Sequence, residues 1–400
     1  MSYNIPLLPD LLATSSFLYL INVAETVFAR LIHAGLLGSL CIGIAFAPQA
    51  AHILPTAIQD ASTTLGYIGL LVIVFEAGLT TDMTLLRKNL ALSSAIALTG
   101  TAMPIFLSIV LLHYGFKYGT LESFASGAAL SSTSLGTTMA LLKPEWRATV
   151  AGTALMTAAL LDDVCGLVIA AVLSQLAGAS VVIPWYIIAR PILVSLAFAI
   201  GTFFAALSLG CLFRWYPVKL RNKSLLFIMI ALLTGYVAGS HYAGTSELFG
   251  AYLAGALLAY IFPRDGSLSA FETHIRPILH VFLSPVFFAS IGMALPIRAL
   301  GSINGSNRVV WRGLVYSMLM GLAKFCSALW MLVWRTDVRS AVLVGFGMIA
   351  RGEVALIVTQ LALPLLSTEA YAVVTWATLL NTAGGAILVG CFLRRVAEIE

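Results

Sequence analysis

Long apolar runs fill most of the chain and are separated by short connections rich in Pro, Gly and charged residues. Most runs are close to the roughly 20 residues that a helix needs to cross the hydrocarbon core of a bilayer. No basic segment or cleavage signal accompanies the first run, so we interpret it as a retained span rather than a signal peptide. The pattern predicts thirteen transmembrane helices, near residues 11–29, 32–47, 62–80, 90–112, 122–142, 148–177, 187–213, 223–240, 246–262, 277–295, 310–334, 339–363 and 370–393.

The composition supports an all-α integral membrane protein. Hydrophobic residues make up 60% of the 400 residues and charged residues only 10%, against roughly 25% charged in soluble proteins. What remains is spread over short connections, so no soluble nucleotide-binding, receptor or catalytic domain fits. The five cysteines lie in apolar runs, which argues against a disulfide framework or a zinc site. We expect no enzymatic activity and no cofactor. The scattered basic residues form no patch for nucleic acid.

The distribution of basic residues predicts the orientation. Fifteen of the 22 Lys and Arg residues lie in or at the edges of the odd-numbered connections and at the C-terminus, whereas five lie in or next to the even-numbered connections. Basic residues concentrate in cytoplasmic loops. We therefore expect a multi-pass protein with its N-terminus outside and its C-terminus in the cytoplasm. The sequence leaves plasma membrane and organelle membrane equally open.

Six ionisable residues stand out inside the predicted helices, where a charge costs roughly 2.5–3.5 kcal/mol or more. They are Glu76, Asp162, Asp163, Lys324, Arg351 and Glu353. Neighbouring helical residues point about 100° apart, so one carboxylate of Asp162-Asp163 can face a fixed partner while the other faces a cavity. Lys324 is the expected counter-ion. Glu76 lies near a helix end, where it can be interfacial.

Two segments predict broken helices. Residues 131–138 read Ser-Ser-Thr-Ser-Leu-Gly-Thr-Thr, and the hydroxyls and freed carbonyls of a break there can face a cation. Arg351-Gly352-Glu353 sets a glycine between opposite charges, which can neutralise exposed backbone ends. If helices 2–6 and 9–13 are two inverted halves, these breaks fall in the fifth and twelfth helices, the fourth of each half, as in inverted-repeat transporters. A small-residue packing face would explain the hydroxyls but not this match.

The residues together resemble the monovalent cation:proton antiporter-2 family, most closely its NapA-type electrogenic sodium/proton antiporters. The resemblance covers nearly the whole chain. Asp162-Asp163 is similar to the paired aspartates of electrogenic members, Lys324 to their ion-pairing lysine, and the segment 351–353 to their crossing-helix motif. Further stretches similar to the family are Phe75-Glu76-Ala77-Gly78-Leu79, Phe249-Gly250-Ala251-Tyr252-Leu253-Ala254-Gly255 and Pro285-Val286-Phe287-Phe288-Ala289-Ser290-Ile291-Gly292-Met293.

The resemblance implies an inverted-repeat antiporter fold with two crossing broken helices, assembled as a homodimer in the lipid bilayer. It implies core helices at about 90–177 and 310–393, dimerisation helices at about 11–80 and 187–295, and no soluble regulatory domain. It also implies roles for individual residues. Asp163 would bind transported Na⁺ or protons, and Asp162 would pair with Lys324, which we also expect to carry a proton. Ser132 and Thr133 would line the cation path at the crossing, and Arg351 and Glu353 would compensate the broken-helix ends.

The predicted function is therefore secondary active exchange of Na⁺, or of Li⁺ or K⁺, for protons. A carboxylate that holds either a cation or a proton couples the two fluxes, provided that the empty charged site does not cross the apolar barrier. The paired aspartates favour electrogenic exchange. A K⁺/H⁺ antiporter and an uncoupled cation channel on the same fold stay open as alternatives. An intramembrane aspartyl protease is disfavoured, because it draws its two acids from two helices in a Gly-x-Gly-Asp setting.

Overall fold

The computed structural model describes residues 8–32, 34–47, 53–81, 89–133, 146, 149–178, 185–213, 218–262, 267–295 and 308–397, and within them the regular structure is helical. The long helix α4 continues into π-helical turns at Ile109–Gly115, and α11 contains π-helical turns at Leu279–Leu283. After α12 the chain forms a further short helix, Leu329–Val333. The helices are α1 (Leu8–Ile32), α2 (Gly35–Phe46), α3 (Thr56–Leu79), α4 (Leu90–Ser108), α5 (Thr120–Ala129), α6 (Val150–Ala177), α7 (Trp185–Phe213), α8 (Val218–Ala243), α9 (Glu247–Ile261), α10 (Ser267–His274), α11 (Arg276–Ala294), α12 (Arg308–Ser327), α13 (Val338–Ile349), α14 (Glu353–Ala362) and α15 (Thr368–Ala397).

Within the described residues, nine helices are long and apolar enough to cross a membrane. α13 and α14 add a tenth span if they count as one helix bent by 43°, and α2 and α9 are shorter apolar helices. The prediction of an all-α membrane protein is confirmed. The count of thirteen stays a prediction, because part of the fifth predicted span lies outside the described residues.

Several boundaries differ from the predicted ones. α3 begins at Thr56 rather than at 62, since Pro55 stands at its N-cap and the polar first turn precedes the apolar run. α10 is a short helix in a stretch predicted as a connection. α5 ends at Ala129, whereas the predicted helix ran to 142; the structure does not describe residues 134–145. Apolar periodicity marks where a helix is buried, and not where it begins or ends.

One compact unit consists of Met1–Val27, Leu36–Thr81 and Pro184–Leu295. Within it, α3 and α9 touch through paired glycines. A Cβ at Gly78 would lie 2.1 Å from the carbonyl oxygen of Tyr252, and a Cβ at Gly255 would lie 2.1 Å from that of Phe75. Two of the family-like stretches are therefore the two faces of one close backbone contact.

The third family-like stretch makes the same kind of contact between α2 and α11 in this unit. A Cβ at Gly43 would lie 2.0 Å from the carbonyl oxygen of Ala289, and a Cβ at Gly292 would lie 2.3 Å from that of Leu40. No side chain fits in either gap. These glycines set how closely the helices approach.

Glu76 belongs to the same unit and lies in the last turn of α3, near the helix end as the sequence suggested. Its carboxylate lies 3.3 Å from Arg276 Nε and 3.1 Å from His280 Nε2. Both partners are about half exposed. This position is typical of an interfacial acid held by basic neighbours.

The other compact unit consists of Phe28–Gly35, Asp82–Ile183 and Pro296–Glu400. It contains α4 to α6 and α12 to α15, and α4 packs against both α6 and α12. The two units have boundaries close to those of the predicted core and dimerisation helices. Their roles in transport and in dimerisation stay predictions.

In this second unit, Arg312 forms a cluster with two aromatic rings and a glutamate at the turn between α4 and α5. The guanidinium of Arg312 lies 5.0 Å from the ring centre of Phe116 and 5.6 Å from that of Tyr118, and it pairs with Glu369. Burial raises the pKa of Tyr118 to about 12, so its hydroxyl stays neutral at physiological pH. The cluster joins the first turns of α12 and α15 to the turn.

We expect Gly78→Leu to lower the free energy of unfolding by about 1–3 kcal/mol or more, because the added side chain meets backbone that cannot give way. Gly235→Leu is the matched control, since a Cβ at Gly235 has no atom within 4 Å. The measurement is the thermal transition of each detergent-solubilised variant. Equal transitions for the two variants would show that the close approach of α3 and α9 does not limit stability.

Candidate ion-binding site

The helix α6 carries both aspartates well inside the membrane-spanning length. It begins after Thr149, whose Oγ1 accepts a hydrogen bond of 3.1 Å from the backbone N–H of Gly152. Alanine and leucine dominate its first half, and both are strong helix formers. Asp162 therefore lies three turns from the nearer helix end, where it is fully buried.

Lys324, from α12, forms an ion pair with Oδ2 of Asp162, and both side chains are fully buried. Burying a lone charge in such a place costs several kcal/mol, which a partner charge offsets. The neighbouring helix α4 leaves room for the ammonium group at Gly100, where a Cβ would lie 3.4 Å from Lys324 Nζ. Three helices of one compact unit thus meet at this pair.

The second oxygen of Asp162 has a different partner. Thr101, on α4, donates a hydrogen bond of 2.8 Å from its Oγ1 to Oδ1 of Asp162. We did not predict this residue from the sequence. Threonine is common in apolar helices and usually bonds to its own backbone, so its position carries no signal.

Asp163 follows on the same helix but is only half-buried. The two carboxylates therefore have different surroundings, as the 100° offset between helical neighbours requires. Asp162 has both oxygens engaged by α4 and α12. Asp163 is the more accessible of the two acids.

Both predicted breaks lie in this unit and touch each other. The chain is non-helical at Ser132 and Thr133 after α5, and again at 350–352 between α13 and α14. Thr133 donates a hydrogen bond of 3.2 Å to the carbonyl oxygen of Met348. Arg351 donates one of 2.7 Å from Nη1 to the carbonyl oxygen of Ser132. Each broken segment thus satisfies backbone groups that the other leaves without helical partners.

The aspartate helix passes directly beside this crossing. A Cβ at Gly166, one turn after Asp162, would lie 3.1 Å from both Ser132 Cβ and Val354 Cγ1. A larger residue would push α6 away from the two breaks. Gly166 therefore brings the aspartate helix close to the crossing, and nothing in the sequence distinguishes it from other helical glycines.

The crossing of the two breaks contains several buried polar groups. Arg351 is fully buried, and in the part of the chain that the structure describes its Nε and Nη2 groups have no hydrogen-bond partner, nor has the Ser132 hydroxyl. Buried polar groups of this kind are usually met by water or by another side chain. Glu353 begins α14, but its side chain lies outside the described residues, so its role in charge compensation stays a prediction.

A family model supplies the identification. The model described as sodium/hydrogen exchanger, transmembrane, matches residues 13–395. The chain belongs to the sodium/hydrogen exchanger family. Membership covers both compact units, and it agrees with the resemblance drawn from the paired aspartates, the lysine and the two breaks. The NapA-type subgroup stays a prediction.

Several exchanger relatives have similar sequences. The probable Na⁺/H⁺ antiporter GerT of Bacillus cereus is 27% identical over 84% of this chain and 86% of its own length. The Na⁺/H⁺-K⁺ antiporter GerN of Bacillus cereus is 24% identical over 90% of each chain. The high-affinity Na⁺/H⁺ antiporter NhaS3 of Synechocystis sp. is 26% identical over 78% of this chain and 66% of its own.

A solved exchanger structure shares the fold. The sodium proton antiporter MjNhaP1 of Methanocaldococcus jannaschii superposes with a TM-score of 0.70, covering 97% of this chain and 99% of that one. Its sequence is only 13% identical, so this likeness concerns the fold alone. It confirms the predicted antiporter fold.

We expect Lys324→Met to lower the free energy of unfolding by about 3–5 kcal/mol, because it leaves the Asp162 carboxylate buried without its cation. The double variant Lys324→Met/Asp162→Leu removes both charges and should recover most of this loss. Thermal transitions of wild type, both single variants and the double variant complete the cycle. If the double variant is as unstable as the sum of the single variants, the two groups do not interact.

Proposed function

We propose that this exchanger moves Na⁺ against protons by alternating access, with Asp163 as the carboxylate that holds either cargo. The observation that carries the proposal is the unequal pair of neighbouring acids. Asp162 is fully buried and held on both oxygens, whereas Asp163 is half-buried beside the crossing of two broken helices. The antiporter names of GerT, GerN and NhaS3 support the same activity.

The crossing supplies the neutral oxygens that a dehydrated cation needs beside a carboxylate. Ser132 and Thr133 bring hydroxyls and carbonyls that no helix ladder uses, and Gly166 brings α6 against them. Oxygen atoms can replace the hydration shell of a monovalent ion. Arg351, the neighbouring fixed positive charge, disfavours a second cation at the same place.

Coupling follows from the cost of moving an uncompensated carboxylate. With neither cation nor proton, Asp163 carries a charge that the apolar barrier penalises. Either cargo removes that penalty, and the two cannot occupy the same oxygens together. Each crossing of the loaded site therefore carries one cargo, which is antiport.

Lys324 makes the exchange electrogenic in this proposal. When the cation enters, Asp162 releases Lys324 from Oδ2, and the freed lysine gives up its proton. Proton and cation charges then do not balance over a cycle. The unit that carries Asp162, Asp163 and Lys324 serves as the transporting core, and the other unit serves as the contact of a homodimer, with the C-terminus in the cytoplasm.

We expect Na⁺ addition to dissipate an imposed pH gradient in proteoliposomes of the wild type. Asp163→Asn should abolish the effect, because the amide neither takes up a proton nor carries the negative charge that binds a cation. Asp60→Asn is the matched control, since Asp60 is exposed on α3. Li⁺ and K⁺ are added in parallel. The order of responses identifies the preferred cation, and a K⁺ response above that of Na⁺ makes the protein a K⁺/H⁺ antiporter. Cation flux without proton movement would contradict exchange and identify a channel.

We also expect the wild type to give a transport current when Na⁺ is added to a supported proteoliposome membrane. In Lys324→Gln/Asp162→Asn, both members of the buried pair are neutral and the core stays filled, so the remaining exchange should be electroneutral. The measurement compares current with proton flux in the same preparation. An unchanged ratio of current to proton flux in the variant would exclude Lys324 as a proton carrier.

A further inference from the structure

We propose that Thr101 is a positioning residue that holds Asp162 while Lys324 leaves it, and so sets how readily the cation site opens. The inference rests on the proposed exchange function and adds a residue to its mechanism. Three groups carry it: the Thr101 hydroxyl on α4, the Asp162 carboxylate on α6 and the Lys324 ammonium on α12.

The two partners of Asp162 use different oxygens. Lys324 pairs with Oδ2, and Thr101 donates to Oδ1 at 2.8 Å. Loss of the lysine therefore leaves the threonine contact in place. The Thr101 side chain is buried from water, with 8% of its surface exposed, so its hydroxyl cannot be replaced readily by bulk solvent.

The hydroxyl of Thr101 is used differently from those of other helical threonines. Thr99, two residues earlier on α4, donates 2.6 Å to the carbonyl oxygen of Ala95, four residues back. Thr157 and Thr359 likewise bond to the carbonyl four residues back, at 2.8 and 2.7 Å. A threonine hydroxyl has one hydrogen to donate. Thr101 gives its hydrogen to the site instead of to its own helix.

The residue before Thr101 lies against the lysine, whereas Thr101 itself bonds to the aspartate. A Cβ at Gly100 would lie 3.4 Å from Lys324 Nζ. Thr101 bonds to the helix that carries the aspartates, through Oδ1 of Asp162 on α6.

The energetic consequence differs between the two states of the site. While Lys324 is paired, its charge is the main stabilisation of the Asp162 carboxylate. Once the lysine leaves, the Thr101 hydrogen bond is the remaining contact that the described residues supply to that carboxylate through a side chain. Removing the hydroxyl therefore penalises the open site more than the closed one, and a cation must then do more to open it.

Thr101→Val removes the hydroxyl with little change of shape. We expect it to raise the apparent KM for Na⁺ about tenfold, because hydrogen bonds to charged groups are among the stronger ones. The maximal rate at saturating Na⁺ should stay close to that of the wild type. At a fixed, subsaturating Na⁺ concentration, the pH profile should move to higher pH, since protons compete better with a cation that binds less tightly.

The controls separate positioning from simple loss of structure. Thr101→Ser keeps the donor and should restore the wild-type KM and pH profile. Thr99→Val deletes a hydroxyl from the same helix, but one that bonds only to backbone, and should leave both unchanged. The measurement is Na⁺-driven proton flux in proteoliposomes over a range of Na⁺ concentration and pH, normalised to inserted protein.

Each outcome is decisive. A wild type without Na⁺-coupled proton flux would refute the proposed function itself. A wild type that exchanges, beside a Thr101→Val variant with unchanged KM and pH profile, would overturn the role of Thr101 alone. A loss of maximal rate at every Na⁺ concentration without a change of KM would also overturn it, since a purely structural role gives that result.

Discussion

The fully buried ion pair of Asp162 and Lys324 is the constraint on which the second compact unit depends. Two charges removed from water lose more solvation than their attraction returns unless further hydrogen bonds complete them. Apolar residues of the same size would usually stabilise a membrane core better. In the proposed mechanism, the pair is retained because it separates during transport.

The pair also explains why charge is distributed so unevenly in the chain. Among the described residues, the fully buried charged side chains are Asp162, Lys324 and Arg351, and all belong to the second compact unit. Both units pack through glycines that bring helix backbones into contact, as at Gly78 in the first unit and at Gly385 in the second, where a Cβ would lie 2.5 Å from the backbone nitrogen of Ala350. The buried charges, and not the close backbone packing, therefore distinguish the second unit.

The parts of the site that are energetically costly in a membrane could be identified from the sequence. A charge or a helix break in an apolar run is expensive, so Asp162, Lys324 and Arg351 stood out against their neighbours without any structure. Thr101 and Gly166 did not stand out, because threonine and glycine are inexpensive in such helices and acquire a role only from what lies across from them. The hydroxylated residues at 131–138 predicted a break, but they did not predict that α5 ends at Ala129, because small apolar and hydroxylated residues lie on both sides of that position.

The two breaks and the ion pair both place polar groups inside the membrane, and they obtain partners for these groups in different ways. A membrane interior tolerates an unpaired backbone group or a lone charge only where protein supplies the partner. The breaks supply partners to each other through Thr133 and Arg351, which holds them together in a fixed crossing. Asp162 instead takes its partners from two different helices, the Lys324 ammonium on α12 and the Thr101 hydroxyl on α4. In the proposed mechanism the ammonium leaves and the hydroxyl stays, so the crossing borders a cation site whose counter-charge can be withdrawn.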